Sequence, residues 1–256
     1  MSSTDSVPPR DLDGRVALVT GATRGLGLAV ARRLCAAGGE VLVNYAHDDD
    51  AAGRALEALS DLPGKARLLR ADVSSPDDVR RMLTQVTQEY GHLDVLVHCA
   101  AGLHPMRAAS LDAAACDADR SVVLGPLVHG APQLATLLRA GTGRLIAVSS
   151  SGARQVVPGY LSLGSAKAAL ESMMRYLAVE FADRQVSVNV VSAGRLDTGP
   201  ADRAPEVSAR VAARTPVGRL TTADEVAGVV ALLCRAEAGC LHGQVITVDG
   251  GLGLLA

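Results

Sequence analysis

Residues 20–27 read Thr-Gly-Ala-Thr-Arg-Gly-Leu-Gly, and they join a short apolar run to a segment of helical period. Gly21 permits a tight turn, Gly25 leaves room for a phosphate to approach the backbone, and Gly27 lets the helix pack closely on the sheet. The first amides of that helix would face a bound anion. Turns between strands and helices also use glycine for purely steric reasons. In this strand, turn and helix context, however, the cluster predicts a dinucleotide-binding α/β fold.

Short apolar runs recur along the chain between longer segments of helical period. The runs are apolar at nearly every position, which predicts strands covered on both faces and therefore a parallel sheet between helices. We expect one doubly wound α/β domain, a Rossmann fold with a seven-stranded parallel sheet and helices on both faces. The predicted strands are residues 16–20, 41–45, 68–73, 95–100, 145–149, 186–192 and 245–248, and the predicted helices are residues 26–37, 51–59, 76–89 and 166–181.

Composition narrows the class of protein. A hydrophobic share of 48% with 20% charged residues supplies a buried core, and a net charge of -2 without a basic block argues against nucleic acid as a partner. The five cysteines form no CxxC pair and predict reduced thiols. We expect no metal site, no membrane segment and, without a signal-peptide pattern, a cytoplasmic location. We predict a disordered tail over residues 1–12, a domain over residues 13–256 and a substrate lid over residues 194–216.

The glycine spacing and several later motifs resemble the short-chain dehydrogenase/reductase superfamily. The later motifs are Asp72-Val73, Cys99-Ala100-Ala101-Gly102, Ser149-Ser150, Lys167 and Val248-Asp249-Gly250-Gly251. The resemblance implies an NAD(P)H-dependent oxidoreductase that acts on a small-molecule or carrier-bound acyl substrate, and it implies a homo-oligomer, a tetramer in our prediction.

The same resemblance assigns the cofactor contacts. Asp72 and Val73 would contact the adenine, Lys167 would bind the nicotinamide ribose hydroxyls, and the Leu196 backbone with the Thr198 hydroxyl would hold the carboxamide. The whole predicted set comprises Gly21, Thr23, Arg24, Gly25, Leu26, Gly27, Asn44, Tyr45, Ala46, Asp72, Val73, Cys99, Ala100, Ala101, Gly102, Lys167, Gly194, Leu196 and Thr198.

The end of the second predicted strand bears on the choice between NADPH and NADH. An acidic residue there would bind the adenosine ribose hydroxyls and repel a 2′-phosphate, but this sequence has Asn44-Tyr45-Ala46. Arg24 in the glycine turn can form a charge-assisted contact to that phosphate. We therefore expect NADPH, with NADH the weaker cofactor, although the acidic run at residues 48–50 opposes this preference.

The sequence departs from the family at two catalytic positions. Most members place a tyrosine four residues before the lysine, where this chain has Leu163, and an asparagine that helps hold a proton-relay water aligns with Val122. The resemblance to the ordinary ketone-reducing site is therefore broken. Ser150 keeps its place relative to Lys167 and can donate to a substrate oxygen, although a serine at a strand end often only caps local backbone.

Tyr160 precedes Lys167 by seven residues, which is about two helical turns and predicts that both side chains share one helix face. This spacing resembles the NADPH-using type III enoyl-acyl carrier protein reductases. We predict that Tyr160 donates a hydrogen bond to the enolate oxygen and that the charge of Lys167 lowers the phenol pKa. The predicted catalytic residues are Tyr160, Lys167 and Ser150. Tyr160 could instead only pack at the helix entry.

Three functions remain open on the sequence. The chain could be an enoyl-thioester reductase, an atypical carbonyl reductase of a biosynthetic pathway, or a dinucleotide-binding protein that has lost its chemistry. The Y-x6-K spacing favours the first, and the retained glycine turn and Lys167 argue against the third.

Overall fold

The computed structural model describes residues 10–254, and seven parallel strands form its central sheet in the order β3-β2-β1-β4-β5-β6-β9. The predicted doubly wound Rossmann fold is confirmed. The strands are β1 (Val16–Thr20), β2 (Glu40–Tyr45), β3 (Lys65–Arg70), β4 (Val95–His98), β5 (Arg144–Ser150), β6 (Ser187–Ala193), β7 (Leu196–Asp197), β8 (Thr221–Thr222) and β9 (Val245–Val248). The short strands β7 and β8 pair with each other outside the main sheet.

Seven α-helices accompany these strands in the part of the chain that is described: α1 (Gly25–Ala36), α2 (Asp49–Glu57), α3 (Pro76–Tyr90), α4 (Ala113–Leu137), α5 (Leu161–Glu180), α6 (Pro205–Arg214) and α7 (Ala223–Leu233). Helices α1 and α7 pack together on one face of the sheet, and α3, α4 and α5 cover the other. Each face buries its own aliphatic cluster, as expected for a sheet covered on both sides. Within residues 10–254, none of the helices combines the length and apolar character that a bilayer crossing needs.

The order of the strands reverses at β1, which lies between β2 and β4. In open α/β sheets, ligands bind outside the carboxyl ends of the strands at such a switch point. The carboxyl end of β1 leads into the glycine turn, and that of β4 leads into Cys99. The two motifs therefore meet at the site of strand reversal.

Several sequence-based boundaries were wrong. Strand β3 ends at Arg70 rather than at residue 73, because it is an edge strand with mostly exposed residues and lacks the continuous apolar run that we used as a signal. Helices α4 and α7 were not predicted, and α4 was obscured because it contains Pro126 and Pro132. Helix α5 begins at Leu161, five residues before its predicted start.

The structure differs from the predicted domain organisation at the first described residues and at the predicted lid. Residues 1–9 of the predicted tail lie outside the described residues. Leu12, which we also placed in the tail, is 2% exposed, and its amide donates a hydrogen bond to the carbonyl of Ala37. Residues 194–216 were expected to be irregular but contain β7 and α6. The ordered domain therefore begins earlier, and the predicted lid is more regular, than the sequence indicated.

Candidate active site

The glycine turn has the geometry that a close phosphate contact requires. Gly21 and Gly25 adopt φ angles of +63° and +53°, which favour glycine. A Cβ atom on Gly27 would lie 2.1 Å from the carbonyl oxygen of Gly21, so this position must remain glycine for the helix to pack. A Cβ atom on Gly25 would meet nothing within 4 Å, so Gly25 faces open space.

The amino end of α1 is free of side-chain caps. Arg24 is its N-cap residue and makes no capping hydrogen bond with its side chain, and the first turn holds no acidic residue. The first amides of a helix need hydrogen-bond partners, and they attract anions. With the open space at Gly25, this end of α1 fits the pyrophosphate of a nicotinamide dinucleotide.

A cleft of about 570 Å³ opens at this turn. It is lined by fourteen of the residues predicted to bind the cofactor, from the glycine turn and the ends of β2, β3 and β4: Gly21, Thr23, Arg24, Gly25, Leu26, Gly27, Asn44, Tyr45, Ala46, Asp72, Val73, Cys99, Ala100 and Ala101. Five further lining residues were not in our set, namely His47, Asp48, Ala71, Ser74 and Val122. His47, Ala71 and Ser74 adjoin predicted residues along the chain, and Asp48 lies two residues after Ala46. Val122 replaces the expected asparagine, so the sequence did contain a signal for each. The other predicted residues, Gly102, Ser150, Tyr160, Lys167, Gly194, Leu196 and Thr198, lie outside this lining.

Asn44 and its neighbours shape the wall of the cleft at the end of β2. The side-chain amide of Asn44 donates to the carbonyl oxygens of Leu69 (3.1 Å) and Ala71 (3.0 Å). Asn44 is buried, and both of its amide hydrogens are engaged, so it ties β2 to the end of β3 rather than offering a donor to a ligand. The Tyr45 hydroxyl donates to Asp49 at 2.9 Å, and this contact raises the pKa of Tyr45.

A buried hydrogen-bond chain fixes the switch point. His98 has its Nε2 atom 2.9 Å from the carbonyl oxygen of Val123 on α4 and its Nδ1 atom 2.7 Å from the hydroxyl of Thr20. Because a carbonyl only accepts, Nε2 carries the hydrogen and Nδ1 accepts from Thr20. The Thr20 oxygen in turn accepts from the amides of Cys99 and Ala100. Burial, aided by the charge of Lys167, lowers the pKa of His98 to about 3, so the ring is neutral and positions the ends of β1 and β4.

Lys167 lies in α5 and is 3% exposed, with its Nζ atom 2.7 Å from the carbonyl oxygen of Val148. Burial lowers its pKa to about 8. Burial raises the pKa of the nearby Cys99 thiol to about 12, while the charge of Lys167 opposes that rise. Lys167 is therefore held between β5 and the end of β4, next to the inner end of the cleft.

Tyr160 is the N-cap residue of α5 and not a member of its helical turns. Its ring packs against Gly152, where an added Cβ atom would lie 2.5 Å from the ring. Burial raises the pKa of its phenol, and the neighbouring Ser150 side chain partly opposes that rise. Our prediction that Lys167 lowers the phenol pKa was wrong, because Lys167 is not among the groups that shift it. The Nζ atom of Lys167 is bound instead to the Val148 carbonyl.

Ser150 and Leu163 show how the usual site has been rearranged. Ser150 caps a short 3-10 turn, its oxygen accepting from the amide of Gly152 at 3.3 Å, and also lies beside the Tyr160 phenol. Leu163, which occupies the usual tyrosine position, is 4% exposed and belongs to the aliphatic core under α5. The structure therefore brings Ser150 and Tyr160 together and leaves no donor at residue 163.

Arg195 forms hydrogen bonds that connect different parts of the segment 194–216. Its guanidinium donates to the Ser208 hydroxyl on α6 at 2.6 Å and to Asp202 at 2.9 Å. Hydrogen bonding to the Ser208 side chain, then to the Ala204 amide and to Arg195, lowers the pKa of Asp202. Gly194 immediately follows β6, Leu196 begins β7, and Thr198 is exposed just after it. Among residues 10–254, no group of three His, Cys, Asp or Glu side chains could hold a metal ion.

Comparison with known proteins agrees with this geometry. The family model described as Enoyl-(Acyl carrier protein) reductase matches residues 21–253. The 1-cyclohexenylcarbonyl-CoA reductase of Streptomyces collinus is 36% identical over 247 residues, which cover 94% of this chain and 88% of that protein. The NADPH-dependent aldehyde reductase-like protein, chloroplastic, of Arabidopsis thaliana is 31% identical over 97% of this chain and 98% of its own length.

A solved structure shares the fold. The short-chain dehydrogenase/reductase from Serratia marcescens superimposes with a TM-score of 0.88 at 28% sequence identity, covering 94% of this chain and 99% of that one. Together with the family model, which spans most of the sequence, these likenesses decide the family. The chain belongs to the short-chain dehydrogenase/reductase superfamily and is an NAD(P)H-dependent oxidoreductase that acts on a small-molecule substrate.

Proposed function

We propose that the chain uses NADPH to reduce the C=C bond of an enoyl thioester. The observation that carries this proposal is the position of Tyr160, seven residues before Lys167 and packed on Gly152 beside Ser150, while Leu163 is buried in the core. In enoyl reduction the oxygen that gains charge lies three bonds from the carbon that receives hydride, whereas in ketone reduction it lies one bond away. A phenol placed farther along the chain from Lys167 than the usual position suits the more distant oxygen.

The cofactor, Tyr160 with Ser150, and Lys167 have separate roles in this reduction. When bound, the nicotinamide supplies the hydride to the β-carbon. Tyr160 and Ser150 donate hydrogen bonds to the thioester oxygen as negative charge develops there, the type of contact that lowers such barriers most. The Lys167 ammonium has three hydrogens, of which the Val148 carbonyl takes one, so two remain to hold the ribose hydroxyls.

The preference for NADPH rests on the charges around the adenosine end of the cleft. Arg24 lines the cleft and forms no ion pair with any residue from 10 to 254. Two of the three carboxylates that opposed this preference are engaged elsewhere: Asp48 accepts from the amide of Ala51 at 2.8 Å, and Asp49 pairs with Tyr45 and Arg70. The Arabidopsis relative is named as an NADPH-dependent protein, which supports the same choice.

The substrate class can be tested directly. The Streptomyces relative is named for a cyclic enoyl-CoA, so 1-cyclohexenylcarbonyl-CoA and crotonyl-CoA are the first compounds to assay, with aldehydes, ketones and quinones as the other arm. We expect NADPH oxidation with the enoyl thioesters and a saturated thioester as the product, identified by mass spectrometry. Turnover restricted to aldehydes or ketones would overturn the proposal.

Carbonyl reduction is the second candidate. A phenol beside a serine hydroxyl can also protonate an alkoxide, and the Arabidopsis relative is named as an aldehyde reductase-like protein. The same panel distinguishes the two functions, because an alcohol and a saturated thioester differ in mass and in the bond that is reduced.

We further propose that residues 194–216 form the lid over the substrate. The support is their position after β6, on the carboxyl side of the sheet where ligands bind, and the Arg195 contacts to Asp202 and Ser208 that hold α6. Arg195→Ala should raise KM for the thioester while leaving NADPH affinity within twofold. An unchanged KM would contradict a lid role.

A further inference from the structure

The usual route of protons to the active site is interrupted in this chain. Val122 lines the cleft where the family's asparagine would help hold a relay water, and a valine side chain has no hydrogen-bonding group. Tyr160 is the N-cap residue of α5, and the Nζ atom of Lys167 is bound to the Val148 carbonyl. A phenol that gives up its proton in each cycle must recover it from some other group.

His104 and Asp119 form a polar pair that the function derived above does not use. The Nδ1 atom of His104 lies 2.7 Å from one carboxylate oxygen of Asp119, and the backbone amide of His104 lies 3.3 Å from the other. Asp119, on α4, is completely buried, while the His104 side chain is 56% exposed. Because a carboxylate accepts, Nδ1 carries the hydrogen, and Nε2 has no hydrogen-bond partner among the described residues.

This pair lies beside Tyr160. The amide of Met106 donates to the carbonyl of Gly159 at 3.1 Å, and Met106 pairs with Tyr160 in a parallel bridge. The backbone from His104 to Met106 therefore runs next to the two residues that enter α5. The charge of Asp119 is close enough to the Tyr160 phenol to contribute to its raised pKa. No comparable anion-supported imidazole occurs elsewhere near this phenol in residues 10–254, since His98 is neutral and locked to Val123.

The geometry points to His104, oriented by Asp119, as the group that returns the proton to Tyr160 after each reduction. This inference rests on the proposal that Tyr160 is the donor, and it holds for an enoyl or a carbonyl substrate.

The hydride adds to the substrate carbon, the electron pair of the broken π bond moves to oxygen, and the phenol O–H bond breaks as its proton passes to that oxygen. The N–H bond at Nε2 of protonated His104 then breaks and the phenol is restored, leaving a neutral imidazole. His104 takes a new proton from solvent at its exposed edge. An enol product tautomerises in water, so the net consumption is one hydride and one proton.

The direct test is His104→Asn, which keeps an N–H group near the Nδ1 position for Asp119 but removes the titratable ring. General acid catalysis contributes typically about 100-fold or more, so we expect turnover to fall by about that factor, with NADPH affinity unchanged when it is measured by fluorescence titration. The matched control is His129→Asn, because His129 lies on the same helix as Asp119 and its side chain makes no hydrogen bond within residues 10–254. The control should retain turnover.

A double-mutant cycle separates a proton-transfer role from a structural one. In a Tyr160→Phe background the phenol has no proton to recover, so His104→Asn should cost little further turnover. Added imidazole should restore part of the activity of His104→Ala. Equal losses in the two backgrounds, or turnover of His104→Asn within twofold of wild type, would overturn the inference.

Failure of the proposed function gives a different pattern. If Tyr160→Phe retains wild-type turnover, the assignment of Tyr160 is wrong, whatever His104→Asn shows. If Tyr160→Phe loses turnover and His104→Asn does not, only the proton route is wrong.

Discussion

The Nζ atom of Lys167 donates a hydrogen bond to the carbonyl oxygen of Val148 at 2.7 Å, in a position where the lysine is almost fully buried. A lysine in such surroundings prefers to be neutral, and its pKa of about 8 reflects the cost of burying its charge. Lys167, which we propose binds the cofactor ribose, is therefore held in place at the expense of stability.

This cost gives a prediction for the dependence of stability on pH. Between about pH 8 and pH 10.5 the unfolded state binds a proton at Lys167 that the folded state lacks, so this group makes folding less favourable as the pH falls towards 8. Lys167→Met removes that dependence. The unfolding free energy of Lys167→Met minus that of the wild type should therefore increase as the pH is lowered from 10.5 to 8, by at most about 3 kcal/mol, and remain constant below 8.

Urea unfolding at a series of pH values measures this difference. Lys65→Met is the control, because Lys65 is exposed on β3, and its difference from the wild type should not vary with pH in this way. A pH-independent difference for Lys167→Met would show that the charge of Lys167 carries no burial cost.

A second prediction concerns Tyr160. Tyr160→Phe removes the hydroxyl beside Ser150 but keeps the ring that packs on Gly152. Loss of one such donor typically costs about 100-fold or more in turnover, so we expect a fall of that order with the melting temperature and NADPH affinity preserved. Tyr176→Phe, at an exposed position on the same helix, is the control. Near wild-type turnover on every substrate would make Ser150 the leading donor.

The third prediction tests the preference for NADPH. Arg24→Ala should weaken NADPH binding by about tenfold or more, since a hydrogen bond to a charged group contributes roughly 1.5–3 kcal/mol, and should change NADH binding little because NADH lacks the 2′-phosphate. Arg32→Ala, at an exposed position of α1, should affect neither. Equal losses for both cofactors, measured by fluorescence titration, would mean that Arg24 does not contact the 2′-phosphate.

The fourth prediction is a homotetramer. Helix α5 exposes Tyr176 and Val179, with relative exposures of 71% and 77%, and Leu241 is also exposed just before β9, the edge strand of the sheet. Exposed apolar side chains on adjacent elements mark association surfaces. Light scattering at micromolar concentration should show a tetramer, and Val179→Glu should reduce its population. A wild-type monomer would contradict this prediction.

Local features of the chain were readable from the sequence. Residues 20–27 determined a tight strand-to-helix turn, because each glycine is required by its own φ angle or by a close backbone contact. The apolar runs of the central strands determined a parallel sheet, because burial on both faces leaves a continuous hydrophobic pattern, which the exposed edge strand β3 lacks. The helix predicted from residue 76 also has a local cap, because the Ser75 hydroxyl accepts from the amide of Asp78.

The partners of the candidate catalytic groups were decided only by the tertiary structure. His104 and Asp119 are fifteen residues apart, and they are brought near the entry of α5 because α4 packs on α5 and Met106 pairs with Tyr160. The pairing of Lys167 with the Val148 carbonyl likewise depends on how α5 lies against β5. The spacing of residues within a motif reflects the local backbone conformation that those residues must adopt. A hydrogen bond between distant residues, in contrast, exists only after the helices have packed on the sheet. The sequence by itself therefore determined the fold and the dinucleotide turn, and the packing of α4 and α5 decided which groups surround the phenol.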